Sequence, residues 1–136
     1  MADTFLLQLV SPERVLVEEQ ATEAQVPALD GFIGMLPGHA PLLTELKPGG
    51  VFTYTSGGQE KVLAVYGGFV EILPDRVRVL ADGAEHREEI DLNAANAQLQ
   101  QAMKDNEDFR GEASDPAVAL DEMMRAQAKV EAALKK

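Results

Sequence analysis

The reading of this chain turns on GFIGMLPGHAPLLTELKPGG, residues 31–50. The stretch is dense in glycine and proline, yet it carries Phe32, Ile33, Met35, Leu36, Leu42, Leu43 and Leu46. A single long helix is excluded, because Pro37, Pro41 and Pro48 each remove a backbone donor and restrict the residue before them. Short extended pieces joined by tight turns, with apolar side chains turned inward, fit the pattern. The Leu36-Pro37-Gly38-His39-Ala40-Pro41 centre reads as a stiff, exposed corner on an all-β body. Loops on a rigid scaffold are where partners are met.

Upstream of the corner, residues 4–10, 14–18 and 22–26 read as strands, with Ser11-Pro12 ending the first and Asp30-Gly31 turning the chain. Downstream, residues 51–55 and 61–66 are rich in β-branched and aromatic side chains. Ser56-Gly57-Gly58-Gln59 between them signals a hairpin. Gly67-Gly68 marks a bulge or bend. Residues 69–73 and 76–81 form a second hairpin around Pro74-Asp75, and Arg76-Val77-Arg78-Val79-Leu80 alternates as a strand with one wet face does. Many short strands at close spacing predict a β-sandwich or barrel.

Near Arg87 the period becomes helical. Leu92, Ala95, Leu99, Ala102 and Met103 share one face, with Asp91 as the N-cap and Gly111 as the stop. A second helix is predicted from Asp115 as N-cap and Pro116 at its first position, with Leu120, Met123, Val130 and Leu134 as its apolar stripe. The short connection over residues 110–114 predicts an antiparallel hairpin, and the many alanines allow close approach of the two axes. Two domains follow: a β-domain over 1–86 and a helical arm over 87–136. An isolated helix pair buries little apolar area, so the arm must lean on the β-domain or on a partner.

Composition narrows the function. The 136 residues carry 12 Lys+Arg against 23 Asp+Glu, a net charge of −11, which argues against nucleic acid as a partner. Without cysteine there is no disulfide, no thiolate metal site and no thiol nucleophile. No apolar run is long enough to span a bilayer and no signal segment opens the chain, so membrane contact is expected only through partners. The two histidines, His39 and His86, lie far apart and give no metal signature. There is no Gly-x-Ser-x-Gly, no phosphate-binding Gly-rich loop and no Gly-x-Gly-x-x-Gly. His39 reads as a turn residue rather than a general base, and Glu88-Glu89 as a solvated charge pair. The residues therefore describe a non-enzymatic interaction protein without catalytic residues, cofactor or metal.

Several phrases in fixed order resemble one family. Val10-Ser11-Pro12-Glu13 follows the first strand. Gly34-Met35-Leu36-Pro37-Gly38-His39-Ala40-Pro41-Leu42-Leu43-Thr44 is the most specific motif, and Leu46-Lys47-Pro48-Gly49 comes after it. Gly67-Gly68-Phe69-Val70-Glu71-Ile72 and Val77-Arg78-Val79-Leu80-Ala81-Asp82 complete the set. Over essentially the whole chain these are similar to the epsilon subunit of the rotary proton-translocating ATP synthase.

The resemblance implies a flattened N-terminal β-sandwich followed by a C-terminal antiparallel two-helix hairpin. It implies a non-catalytic place in the central stalk, peripheral to the cytoplasmic face of a bacterial plasma membrane. There the sandwich binds the gamma subunit and sits on the c-ring, while catalysis lies on other chains. It places Phe32, Gly38, His39 and Pro41 on the c-ring side, although Phe32 stands where an acidic residue is often found. It also implies an arm with two states, one packed on the sandwich and one extended to touch the catalytic alpha and beta subunits and restrain ATP hydrolysis. Arg125 and Lys129, four apart on one helix face, are the candidate arm contacts, with Lys135 and Lys136 nearby. The alternative for these cations is to complement the helix dipole. Some family members bind ATP through Ile/Leu-Asp-x-x-Arg-Ala. Here the words are Ile90-Asp91-Leu92-Asn93-Ala94-Ala95, and Ala94 replaces the arginine, so ATP binding by this chain is expected to be weak or absent. Two competing readings stay open: a β-sandwich adaptor whose arm zips onto another helical protein, and a small hydrolase dependent on His39.

Overall fold

The computed structural model describes residues 3–107 and 116–135. Ten strands lie among these residues: β1 Phe5–Val10, β2 Val15–Ala21, β3 Glu23–Ala28, β4 Gly31–Met35, β5 Leu42–Glu45, β6 Gly50–Ser56, β7 Gln59–Val65, β8 Gly68–Leu73, β9 Arg76–Ala81 and β10 Ala84–His86. A 3-10 turn over Arg87–Glu89 leads to helices α1 Leu92–Glu107 and α2 Pro116–Leu134. The strands form two five-stranded sheets. The first has the order β2-β1-β9-β8-β5 and the second β10-β7-β6-β3-β4. Neighbours are antiparallel except β1 and β9, which pair in parallel with Leu7 opposite Val77 and Leu9 opposite Val79.

Alternation selects this stack. On β1 the buried residues are Phe5, Leu7 and Leu9, and on β9 they are Val77, Val79 and Ala81. Facing them from the second sheet are Val26, Met35, Phe52, Tyr54, Leu63 and Val65. A sheet whose side chains alternate in and out must bury one face against another sheet, and here the two inner faces make one dry core. The sandwich, the corner between β4 and β5, both hairpins and the helical arm appear where the sequence predicts them. Met35 is fully buried, as its inward reading requires. The short strand β10 and the 3-10 turn have no counterpart in the sequence reading.

The helical stripes need correction. Leu120 is 46% exposed and Leu134 59% exposed, and Met103 also faces outward. Ala95 and Ala102 on α1 and Val130 on α2 are buried as predicted, and the other buried positions of α2 are Ala119, Ala126, Ala128 and Ala132. α2 packs on two neighbours at once, α1 and the outer face of the second sheet. Two narrow alanine stripes serve that geometry better than one broad leucine stripe, because small side chains let axes and sheet approach closely. Asp91 caps α1 as expected, its Oδ1 accepting the Ala94 N–H at 3.2 Å. The Gly111 stop, the Asp115 cap, the 110–114 connection and Lys136 lie outside the described residues.

The open edge between the sheets is closed by charge. Glu19 on β2 accepts from Tyr54 Oη at 2.7 Å, from Ser56 Oγ at 2.8 Å and from Lys61 Nζ at 2.9 Å. These bonds, led by Tyr54 and then Lys61, hold the Glu19 carboxyl at about 2. Burial and the adjacent carboxylate push the Tyr54 phenol well above its ordinary value. Glu89 is not the solvated charge the sequence suggested. Arg14 grips it with two bonds of 2.9 and 2.8 Å, and its carboxyl also accepts the His86 backbone N–H at 3.0 Å. The Arg14 bonds first, then the His86 bond, hold the Glu89 carboxyl at about 2.

Because the Glu19 carboxyl is depressed in the folded chain, its stabilising effect is present above its ordinary value and is lost as pH falls towards about 2. The side chain keeps 34% of its exposure, so solvent screening reduces the effect to about 1 kcal/mol. Glu19→Gln should lower the denaturation midpoint at pH 7, and the gap from the parent should close between pH 4.5 and about 2. Equal midpoints at pH 7 would show that the network contributes nothing.

Candidate functional site

Three surfaces carry the residues singled out in the sequence. The corner occupies residues 36–41 between β4 and β5. Gly38 turns it with φ of 86°, a conformation that favours glycine. Its N–H donates to Pro74 O at 2.8 Å, which ties the corner to the β8–β9 turn. His39 N–H donates to Leu36 O at 3.2 Å, and its ring Nδ1 lies 2.6 Å from Ala40 O. His39 is thus a turn residue bonded within its own loop, with Leu36, Pro41, Leu42 and Leu43 exposed around it. The corner is apolar apart from the His39 ring, and pinned.

Phe32 does not join this group. It pairs with Pro27 near the β3–β4 turn, at the end of β4 away from the corner. It is 61% exposed, and Lys47 Nζ sits 5.4 Å from its ring centroid. Phe32 borders a cleft with Gly49, Val51, Met124 and Ala128, at the foot of α2. The structure therefore brings Gly38, His39 and Pro41 together and leaves Phe32 beside the arm.

The second surface is the outer face of the first sheet. Strand register puts Phe69 beside Leu80, Leu80 beside Val10 and Val10 beside Val15. Phe69 and Leu80 are each 51% exposed and Val15 is 60% exposed. Leu43, 70% exposed, stands diagonally across from Phe69 on β5. An apolar row thus crosses the sheet with Glu45, Glu71 and Arg78 around it. Among the described residues no helix covers this row, whereas α2 covers the corresponding face of the other sheet. Sequence alternation marked residues 76–80 as having a wet face, but the row becomes visible only once β1, β2, β8 and β9 are aligned.

The third surface is the arm. Lys129 Nζ lies 3.2 Å from Glu85 Oε1, donates to Gln98 Oε1 at 3.2 Å, and sits 5.7 Å from the Tyr66 ring centroid. Tyr66 Oη donates to Glu85 Oε1 at 2.7 Å. Burial, then that bond, push the Tyr66 phenol well above its ordinary value. Arg125, one turn earlier, lines a cleft of about 410 Å³ with Lys129, Tyr66, Gln98, Asp105 and Glu122. At the far end of α2, Arg87 Nη1 donates to Lys135 O at 2.6 Å. Arg125 and Lys129 do share a face. What the sequence could not reveal is that Lys129 is already engaged by the sandwich, since Glu85 and Tyr66 lie more than 40 residues upstream.

Among the described residues no group of acidic or histidine side chains could hold a metal ion. Nor is any helix among them long and apolar enough to cross a membrane.

Comparison with known proteins agrees with this architecture. The family model for the ATP synthase delta/epsilon chain beta-sandwich domain matches residues 4–87. The ATP synthase epsilon chain of Solibacter usitatus is 49% identical over 100% of both chains. That of Koribacter versatilis is 47% identical over 76% of this chain and 70% of its own. A chain in the Euglena gracilis mitochondrial ATP synthase (OSCP/F1/c-ring) superposes with a TM-score of 0.83 at 21% identity, covering 99% of this chain and 84% of that one, a likeness of fold. The motifs predicted from sequence, the two-sheet sandwich with its helical arm and these relatives agree, and the chain belongs to the ATP synthase epsilon-chain family.

Proposed function

We propose that the chain is a non-catalytic rotor subunit of a proton-translocating ATP synthase. In this reading it links the gamma subunit to the c-ring in the central stalk, and its helical arm restrains ATP hydrolysis. It works at the cytoplasmic face of a bacterial plasma membrane and reaches the membrane only through its partners. The division into a rotor-binding domain over 1–86 and a regulatory arm over 87–136 belongs to the same reading.

The observation that carries it is the uncovered apolar row Val15–Val10–Leu80–Phe69. Exposed apolar residues contiguous across a sheet, bordered by charges, fit a protein interface. A long helical partner would lie on this face. The pinned corner with Gly38, His39 and Pro41 would meet a polar ring of loops, where a stiff backbone can approach closely. Phe32 would offer a separate contact at the other end of β4. In the arm's extended state, Arg125 and Lys129 would face acidic side chains of the catalytic alpha and beta subunits.

The stalk reading is tested with a catalytic sector that lacks this subunit, adding back the full chain or residues 1–86. The sandwich core is built wholly from residues before Arg87, so the shorter chain retains it. Both forms should bind gamma, and only the full chain should slow hydrolysis, by several-fold. Failure of both to bind would refute the reading. Phe69→Glu with Leu80→Glu should weaken the gamma association at least about tenfold, since two buried charges without partners would enter the interface. Unchanged association would remove this face from the argument.

ATP handling follows from the arm. Asp91 is occupied as an N-cap, Ala94 offers no cation, and Lys129 is neutralised by Glu85. Asp105 and Glu122 add negative charge to the cleft beside them. Titration calorimetry with Mg-ATP should show no saturable binding in the micromolar range. A micromolar dissociation constant would overturn that expectation.

A further inference from the structure

The outer face of the first sheet carries a second row beside the apolar one. Strand alternation sends Glu18 of β2, Gln8 of β1, Arg78 of β9 and Glu71 of β8 outward, because Val17, Leu7, Val77 and Val70 beside them fill the core. Register sets the four side by side. Gln8 stands opposite Glu18 on one flank and opposite Arg78 on the other, and Arg78 stands opposite Glu71. Adjacent strands lie about 4.8 Å apart. The row therefore runs acid, amide, base, acid in equal steps. It lies two residues along from Val10, Leu80 and Phe69, so it flanks the apolar row across β1, β9 and β8.

This second row is not satisfied within the chain. Opposite charges on directly opposed residues of a sheet attract. Elsewhere the chain pairs such groups, Arg14 with Glu89, Lys61 with Glu19 and Lys129 with Glu85. Yet among the described residues Glu18, Arg78 and Glu71 make neither an ion pair nor a side-chain hydrogen bond. Gln8 Oε1 is buried and has no partner either. Two further charges share the face. Arg76 lies one row on, between Leu6 and Leu73, and Glu45 ends the apolar row beside Phe69. Neither stands opposite Arg78. Charges along the rim of an apolar strip act on partner choice more than on raw affinity, since a wrong sign set against any of them is repelled.

We propose that Glu18, Arg78 and Glu71 select the partner that covers the apolar row: a protein surface that sets a carboxylate against Arg78 between two cations, one step away over Glu71 and two steps away over Glu18. The order matters as well as the total. A surface of the same net charge with a cation against Arg78 and acids against the two glutamates meets three like-charge contacts and is rejected. The selection rests on the apolar row being the gamma-binding face, and it adds what that row lacks, a direction. From β2 to β8 the signs run minus, neutral, plus, minus. Read from β8 to β2 they differ, so the row also fixes which way round the partner lies.

The test measures association of the full chain with a catalytic sector that lacks this subunit, at about 0.05 M and about 0.5 M salt. Arg78→Glu combined with Glu71→Arg keeps the net charge and keeps an acid opposite a base, but reverses their order. Under the proposal this swap should bind roughly tenfold more weakly than the parent at the lower salt, and the gap should narrow at the higher salt as the repulsion is screened. Glu18→Arg, alone on the edge strand β2, should weaken binding several-fold with the same salt dependence, and it decides where the swap lowers the thermal midpoint. Parent-like binding by a folded swap, or by Glu18→Arg, overturns the proposal, because the charges then serve only each other or solvent. Phe69→Glu with Leu80→Glu is measured alongside. Parent-like binding by that pair removes the face itself, whereas weak binding by it together with a parent-like swap leaves the face standing and strikes only the selection by charge.

Discussion

Two stacked sheets share one interior and have two outer faces, and the described residues cover only one of those faces. That constraint governs the rest of the structure. The shared interior, from Phe5, Leu7 and Leu9 across to Phe52, Leu63 and Val65, is complete without the helices. The outer face of the second sheet presents Val51, Val62 and Ala64, and α2 buries them with Ala132. The outer face of the first sheet presents Val10, Val15, Phe69 and Leu80, which no described element covers. An apolar row left open beside a row so carefully closed has a cost in water of about 25 cal/mol per Å². Such a cost is what a permanent partner would remove.

Much of the fold was legible because its signals are local. Alternation at 76–80, the Ser56-Gly57-Gly58-Gln59 turn, and the prolines at 37, 41 and 48 each force a choice within a few residues. The inward reading of Met35 followed from the same alternation. β10 and the 3-10 turn escaped notice because their reasons are distant. β10 exists by pairing with β7, Ala84 opposite Val65 and His86 opposite Leu63. The turn after it is fixed by Arg14, which holds Glu89 from 75 residues away in sequence. A rule that treats adjacent glutamates as solvated charge has no access to such a partner.

The candidate site was legible in part for the same reason. The corner is one continuous phrase, so Gly38, His39 and Pro41 could be grouped from sequence and the structure keeps them together. Phe32 stands only four residues before Leu36, yet in a strand that rises about 3.3 Å per residue it belongs to the other end of β4. Its place on the c-ring side rests on the family resemblance alone, while its position in the fold is set by register with Pro27. Lys129 shows the converse. Its helix face was readable from spacing with Arg125, while its engagement by Glu85 and Tyr66 depends on how the arm is laid across the sheet.

The error in the helical stripes bears most on mechanism. Periodicity weights large apolar side chains, so it turns Leu120 and Leu134 inward, whereas the structure leaves them exposed and buries Ala95, Ala102 and Val130 of the predicted stripes together with four further alanines of α2. Alanines bury the arm, and each methyl-sized group contributes only about 0.8 kcal/mol. The packing of α2 is therefore shallow in apolar energy and depends on close approach at Gly49, where an added Cβ would collide with the Met124 carbonyl, and on the charge at Lys129. Meanwhile Met103, Val118, Leu120 and Leu134 point to water in the docked state. A helix pair whose only task was to cover the second sheet would turn its largest side chains toward that sheet, where each would contribute more than an alanine. Placing them outward fits the proposed reading, in which the arm would have a second resting place that buries those side chains.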